Sequence, residues 1–263
     1  MAELTIHGAR GSLPVSGADV SRFGGHTTSM SASLFDGSVL VVDTGTGVTA
    51  VHGGASEYHL VFTHYHLDHL IGLPFFDPLY DPDVMLTFYG FPWGDLGVEE
   101  AISGPYAEPW FPISIADTPS QKRFVDLSGE EFSIGEIGIS VARLRHPQDV
   151  TAYRLDGPQA SVTIATDYEA DGIDHRLVEL ARDADVLVHD SQYTPEDYAD
   201  HEGWGHSTWV DAVEVAAAAG VDQLILTSHA PNRTDAQIDA YVTQARERFE
   251  ATDAAYEGLT VPL

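Results

Sequence analysis

A chain of 263 residues with 43% hydrophobic side chains can bury a sizeable core, and no run approaches the ~18 consecutive apolar residues of a membrane span. The absence of cysteine excludes disulfides and thiolate metal sites and leaves His, Asp and Glu as the strong ligands. With 41 acidic against 12 basic residues the formal charge is −29, a field that repels long polyanions and speaks against large nucleic acid as a partner.

The expected reading of that excess charge is a generally acidic surface, of the kind found in salt-adapted proteins. The opening M-A-E-L-T-I lacks the basic and apolar segments of an export signal. One cytoplasmic domain spanning residues 1–263 and no membrane association are therefore expected.

In chain order, the first sixty residues alternate short β-rich runs (Leu4 to His7, Ser31 to Phe35, Val39 to Val42) with Gly-rich turns, as in an antiparallel sheet. Residues 74–120 differ: they hold most of the prolines and a dense set of aromatics, among them Phe75, Phe76, Phe88, Trp93, Tyr106 and Trp110. That stretch reads as an irregular excursion with one short helix near Val98 to Ser103, either walling a pocket and meeting a second subunit in a homodimer, or forming a private core. From residue 124 short strands return, followed by helical periodicity at His175 to Asp183, Thr208 to Ala219 and Asp235 to Glu250. Strands in two sets with helices after each predict two sheets packed face to face under outer helices.

The chemistry is concentrated at strand ends. After the apolar run V-F-T comes His64-x-His66-x-Asp68-His69. His64 and His66, two apart, point the same way in extended backbone, while Asp68 and His69 stand where a helix can begin. Further on, His146 follows I-S-V-A-R-L-R, Asp167 follows S-V-T-I-A-T, and His229 follows Q-L-I-L-T-S. This is more than one tetrahedral ion needs, and two ions sharing a carboxylate fit the count. Any one of the last three residues taken alone is an ordinary polar residue ending a strand.

His64 to His69 is the H-x-H-x-D-H signature, and with the lead-in V-V-D-T-G-T-G (41–47) the chain resembles the metallo-β-lactamase superfamily over essentially its whole length. The resemblance implies an α/β four-layer αββα sandwich. It implies one ion on His64, His66 and His146, another on Asp68, His69 and His229, and Asp167 bridging. Zinc is the expected metal, with manganese or iron compatible with nitrogen and oxygen donors. G-W-G-H-S-T-W-V (203–210), with V-H-D-S-Q-Y (188–193) upstream, resembles the His-Ser-Thr motif of the tRNase Z and class II cyclic-nucleotide phosphodiesterase branch. By that resemblance His206 contacts the scissile phosphate and Asp190 orients it. The alternative is that Ser207 or Thr208 only caps a helix and His206 is a surface residue.

The tRNA-processing enzymes carry a long basic arm, often between the counterparts of His146 and Asp167; only 20 residues separate those positions here. The expected function is a dinuclear-metal phosphodiesterase acting on a small phosphodiester such as a cyclic nucleotide, through a hydroxide shared by the ions and assisted by Asp68, His206 and Asp190. Alternatives are a lactonase or thioesterase using the same metals on a carbonyl, or a non-hydrolytic metal-binding protein. Arg10 is open between a phosphate contact and a buried ion pair.

Overall fold

The computed structural model describes residues 2–263. Its strands are β1 (Glu3–Gly8), β2 (Ser29–Ser33), β3 (Val39–Val42), β4 (Glu57–Val61), β5 (Met85–Gly90), β6 (Gln121–Asp126) and β7 (Glu131–Ile134), then β8 (Ile137–Leu144), β9 (Val150–Asp156), β10 (Ser161–Ala165), β11 (Val186–Asp190), β12 (Gln223–Thr227), β13 (Thr252–Ala254) and β14 (Thr260–Pro262). The helices are α1 (Leu67–Leu70), α2 (Val98–Ser103), α3 (His175–Leu180), α4 (Pro195–Tyr198), α5 (Trp209–Ala219) and α6 (Asp235–Arg246).

Two seven-stranded sheets result, in the orders β14-β1-β2-β3-β4-β5-β6 and β13-β12-β11-β10-β9-β8-β7. Three apolar clusters show the layering. One, built from Leu4, Ile6, Leu40, Val42, Ile139, Tyr153, Ile164 and Val188, lies between the sheets. A second joins the outer face of the later sheet to α3, α5 and α6 through Leu187, Leu224, Leu177, Ala212 and Ile238. The third joins the outer face of the earlier sheet to α1 and α2 through Val41, Leu60, Phe88, Leu70 and Ile102. Burial on both faces is why the central strands read as continuous runs such as VLVV and SVTIA rather than alternating. The sandwich is the expected αββα architecture.

Both sheets are mixed. β1, β2 and β3 pair antiparallel as expected, but β3 through β6 are parallel. In the later sheet β10 through β13 are parallel, and β8 shares their direction because β9 runs against both β8 and β10. The ends of β4, β8, β10, β11 and β12 can therefore open onto one edge, where crevices form in sheets of this kind.

The stretch 74–120 is less irregular than expected. It contains β5, whose M-L-T-F-Y-G sequence is β-favouring and which pairs with β4 and β6; the flanking prolines and aspartates hide it from a local reading. α2 spans the expected residues. α3 is shorter than its periodicity suggests, and Asp183 beyond it has a φ of 50°, a left-handed geometry in which a helix cannot continue. Among the described residues no helix is long and apolar enough to cross a membrane.

Candidate metal centre

At the end of β4 the chain passes through Phe62 and Thr63 to His64, stays extended at His66 (φ −65°, ψ 151°), and turns into α1 with Asp68 and His69 in its single turn. This local switch from extended to helical backbone gathers four ligand side chains, three histidines and an aspartate. His146, just past β8, meets them: the His64 ring centroid lies 4.6 Å from that of His66 and 4.7 Å from that of His146, and His66 Nδ1 faces His146 Nε2 at 3.0 Å. Asp167, two residues past β10, presents Oδ2 at 3.1 Å from His69 Nε2 and 3.8 Å from His64 Nε2. Asp68 Oδ2 is 3.4 Å from His69 Nε2 and accepts the Ser12 N–H at 2.9 Å.

The donor set fits a divalent cation. His64 Nε2 is buried without a hydrogen-bond partner, a costly state for a polar nitrogen unless a cation takes its lone pair. His64, His66 and His146 cluster closely enough to share one ion, as do His64, His69 and Asp167. Burial lowers the His64 pKa well below its ordinary value and that of His146 to about 4, keeping both as the neutral imidazole that ligation requires. At His69 burial acts in the same direction, but Asp167, Asp68 and Asp43 outweigh it and raise the pKa well above normal. The carboxylates that draw a proton there would equally draw a cation.

Groups behind the cluster fix its ring orientations. Asp43, at the end of β3, accepts from His69 Nδ1 at 2.8 Å and from the Thr63 hydroxyl and N–H at 2.8 and 2.9 Å, which commits Nδ1 as a donor and leaves Nε2, beside Asp167, as the nitrogen a cation would take. His146 Nδ1 donates to the Gly205 carbonyl at 2.8 Å. Asp43 lies inside the V-V-D-T-G-T-G stretch and closes an apolar strand as Asp167 does, which is the one local sign in the sequence of its role. Asp43, Asp167 and Ser228 all follow strand ends with left-handed φ of 56°, 53° and 56°, a backbone state concentrated at functional sites.

His206 and Asp190 form the second part of the site. Asp190, the last residue of β11, is fully buried, and its Oδ2 accepts from His206 Nδ1 at 2.7 Å and from the Asp167 N–H at 3.0 Å. His206 Nε2 points at Asp167 Oδ2 from 4.0 Å, outside hydrogen-bond reach. Burial would lower the His206 pKa; Asp190 and Asp167 outweigh it and push it up to about 9. Thr208 is the N-cap of α5, in a reciprocal capping box with Asp211, so the motif both starts the helix and presents His206 to the site. Another residue missed in the sequence is Glu169. Buried, it accepts the Gly203 and Gly205 N–H groups at 2.5 and 2.9 Å and so holds the loop that carries His206.

His229 corrects the expected ligand set. It is fully buried, Tyr241 donates to its Nδ1 at 2.6 Å, and its Nε2 donates to the Ala255 carbonyl at 3.0 Å, so both nitrogens are engaged away from the cluster. Burial lowers its pKa to about 3, consistent with a neutral structural ring. Arg10 is likewise structural: its guanidinium donates to the carbonyls of Gly24, Ala230 and Arg233 at 2.8, 3.2 and 2.7 Å.

The aromatics of 74–120 divide between the two expectations. Phe76, Phe88 and Tyr106 are buried under the earlier sheet, whereas Phe91, Trp93 and Leu96 line a cavity of about 160 Å³ with His64, Tyr65 and Arg143. On the His206 side, Ser12, Gln192, Tyr193, His201, Trp204 and Asn232 line a cleft of about 470 Å³.

A two-sheet sandwich with a histidine and aspartate cluster at its strand ends defines a metallo-β-lactamase-type hydrolase. The chain belongs to that superfamily: the model described as "Beta-lactamase superfamily domain" matches residues 50–229. It is 30% identical over 222 residues, 80% of this chain and 76% of the relative, to the uncharacterized protein Rv1339 of Mycobacterium tuberculosis. A Ribonuclease Z of Myxococcus xanthus is 39% identical over 88 residues, 33% of this chain and 28% of that protein's length. A crystal structure titled as a new diphosphatase from the PhnP family superposes with a TM-score of 0.75 at 19% identity, covering 100% of this chain and 98% of that one. The chain is accordingly a metal-dependent hydrolase.

Proposed function

We propose that this hydrolase is a phosphodiesterase acting on a small phosphodiester such as a cyclic nucleotide. The observation that carries the reading is His206, held through Nδ1 by buried Asp190 with Nε2 turned to the metal cluster. A ring fixed in this way and holding a proton stands ready to donate to a phosphoryl oxygen or to the departing alkoxide. Asp190 keeps Nδ1 protonated and sets the ring's direction, acting only through His206.

His64, His66 and His146 would hold one divalent ion and Asp68 and His69 another, with Asp167 shared. Zinc is the proposed metal from its tolerance of mixed nitrogen and oxygen donors. Such ions supply the Lewis acid that brings the pKa of bound water toward neutrality. Asp68, fixed by the Ser12 N–H, would accept a hydrogen bond from the attacking water and align it.

A small substrate is supported by the charge of −29 and by the interval between His146 and Asp167, which β9, β10 and their connecting turn consume without an arm. In the cleft beside His206, Tyr193 stacks on His201 with centroids 4.7 Å apart and Trp204 meets His201 edge-on at 5.0 Å, a ledge on which a nucleobase can stack. Exposed Trp93 and Trp110 support the expected homodimer contact, which a sizing measurement would check. The ribonuclease named above supports a second reading, an RNA phosphodiester.

The experiment is a hydrolysis screen of the metal-loaded chain on bis(p-nitrophenyl) phosphate, cyclic nucleotides, a structured RNA and lactones. Turnover of the cyclic nucleotides is expected. Preference for the RNA would establish the second reading, and turnover of lactones alone would overturn both.

A further inference from the structure

We infer that the metal centre is uneven: one cation position is complete, and the other lacks a protein ligand, so this chain retains one ion tightly and binds a second loosely through an oxygen-rich set. The inference rests on the metal-dependent reading above and concerns how the ligands divide between the two positions.

Counting donors separates the positions. His64, His66 and His146 converge, and Asp167 Oδ2 lies 3.8 Å from His64 Nε2, giving three imidazoles and a carboxylate for the first ion. That is a full four-donor set of the kind zinc takes. His64 is also within reach of His69 and Asp167, but with it committed to the first ion, His69 Nε2 at the second position is joined by Asp68 Oδ2 at 3.4 Å and Asp167 Oδ2 at 3.1 Å, one nitrogen and two carboxylates.

A fourth donor from the end of β12 would complete it, but the residue facing the centre there is Ser228, whose Oγ lies 3.3 Å from Asp167 Oδ1. The histidine beside it, His229, faces the other way. Its ring packs edge-on against Phe23 at 5.6 Å and is tied by the bonds to Tyr241 and Ala255, so turning it to the centre would break both bonds and open a fully buried site. A neutral hydroxyl is a weak substitute for imidazole, and a set dominated by carboxylates and solvent suits manganese or magnesium better than zinc. His206 is the remaining imidazole within range, with Nε2 4.0 Å from Asp167 Oδ2. Its Nδ1 is held by Asp190, and its Nε2 is left for substrate.

The test is metal content of the full chain, purified without chelator and dialysed exhaustively, followed by calorimetric titration with Mn²⁺. About one zinc per chain should survive dialysis, and Mn²⁺ should add with an affinity at least on the order of tenfold weaker. Ser228→His places an imidazole where the hydroxyl now faces Asp167. It should retain a second zinc through dialysis, with affinity at that position raised on the order of tenfold or more. His229→Gln, checked for folding by circular dichroism, should keep the parent metal content. Two zinc ions surviving dialysis in the parent chain would overturn the inference; if one is then lost in His206→Ala, His206 is the missing ligand. A chain that binds no metal at all would instead defeat the metal-dependent reading. Should Ser228→His fail to fold, the parent titration decides by itself.

Discussion

His206 Nδ1 lies 2.7 Å from Asp190 Oδ2, and the same carboxylate also receives the N–H groups of Asp167, Gln192 and Ser207 at 3.0, 3.1 and 3.0 Å. A single buried side chain thus ties the imidazole at the mouth of the site to the backbone of Asp167, the proposed shared ligand. Because His206 is assigned to substrate, His206→Ala should lower kcat on a phosphodiester on the order of 10²-fold with metal content unchanged. Asp190→Asn should cost less, and the double variant little more than His206→Ala alone, since the two act as a unit. Steady-state kinetics beside elemental analysis check this; parental turnover by a metal-replete His206→Ala protein would return the motif to a helix start only.

Asp167 stands between both halves of the cluster, near His64, His69 and His206. Asp167→Ala should lose bound metal and nearly all turnover while the fold persists, because the carboxylate sits at a strand end and not in the core. Circular dichroism with elemental analysis decides between this outcome and simple unfolding.

What was legible in the sequence is what repeats locally. The signature at His64 to His69 needs only six residues, and His146, Asp167 and Asp190 each close an apolar strand. The sandwich was legible because its strands and helices fall into two successive sets. Asp43 and Glu169 were not, since what they do depends on neighbours 26 and 36 residues away, His69 and Gly205. His229 shows the reverse failure. A strand-end position specifies that a residue is near the edge, but the left-handed turn at Ser228 decides which of two adjacent side chains faces the centre.

Gly205 is conformationally required. Its φ is 90°, and a Cβ would lie 2.3 Å from His146 Nδ1 and 2.5 Å from the Pro147 ring. Gly205→Ala should strain the loop by about 1–3 kcal/mol and push the His146 ring out of line. Lower thermal stability together with weaker zinc retention is the expected pair of results. A variant that matches the parent in both would show that the loop yields freely.

Trp204 is 64% exposed beside His201, so it contributes little to the core and its removal reports on the substrate cleft. If a base stacks there, Trp204→Ala should raise KM for a cyclic nucleotide by roughly 5–150-fold, matching the ~1–3 kcal/mol of one base stack. Neither kcat nor metal content should change. An unchanged KM would place the base elsewhere, with the cavity near Trp93 next to be probed in the same way.

Asp43 offers the sharpest test of how His69 is held. Its Oδ1 accepts the Thr63 backbone N–H at 2.9 Å, a donor that cannot rotate, so in Asp43→Asn the amide oxygen must take that place. The amide NH₂ then occupies the Oδ2 position, 2.8 Å from His69 Nδ1, and donates where the carboxylate accepted. His69 Nδ1 becomes an acceptor, the ring's remaining proton is fixed on Nε2 against Asp167, and Nε2 has no lone pair to offer a cation. Metal affinity at the Asp68, His69 and Asp167 position should fall on the order of 10- to 100-fold. Retention by His64, His66 and His146 should be little affected, so a competitive chelator titration should show the weaker event moving and the tighter one staying. Equal weakening of both would mean that Asp43 supports the whole strand-end edge and not the tautomer of one ring.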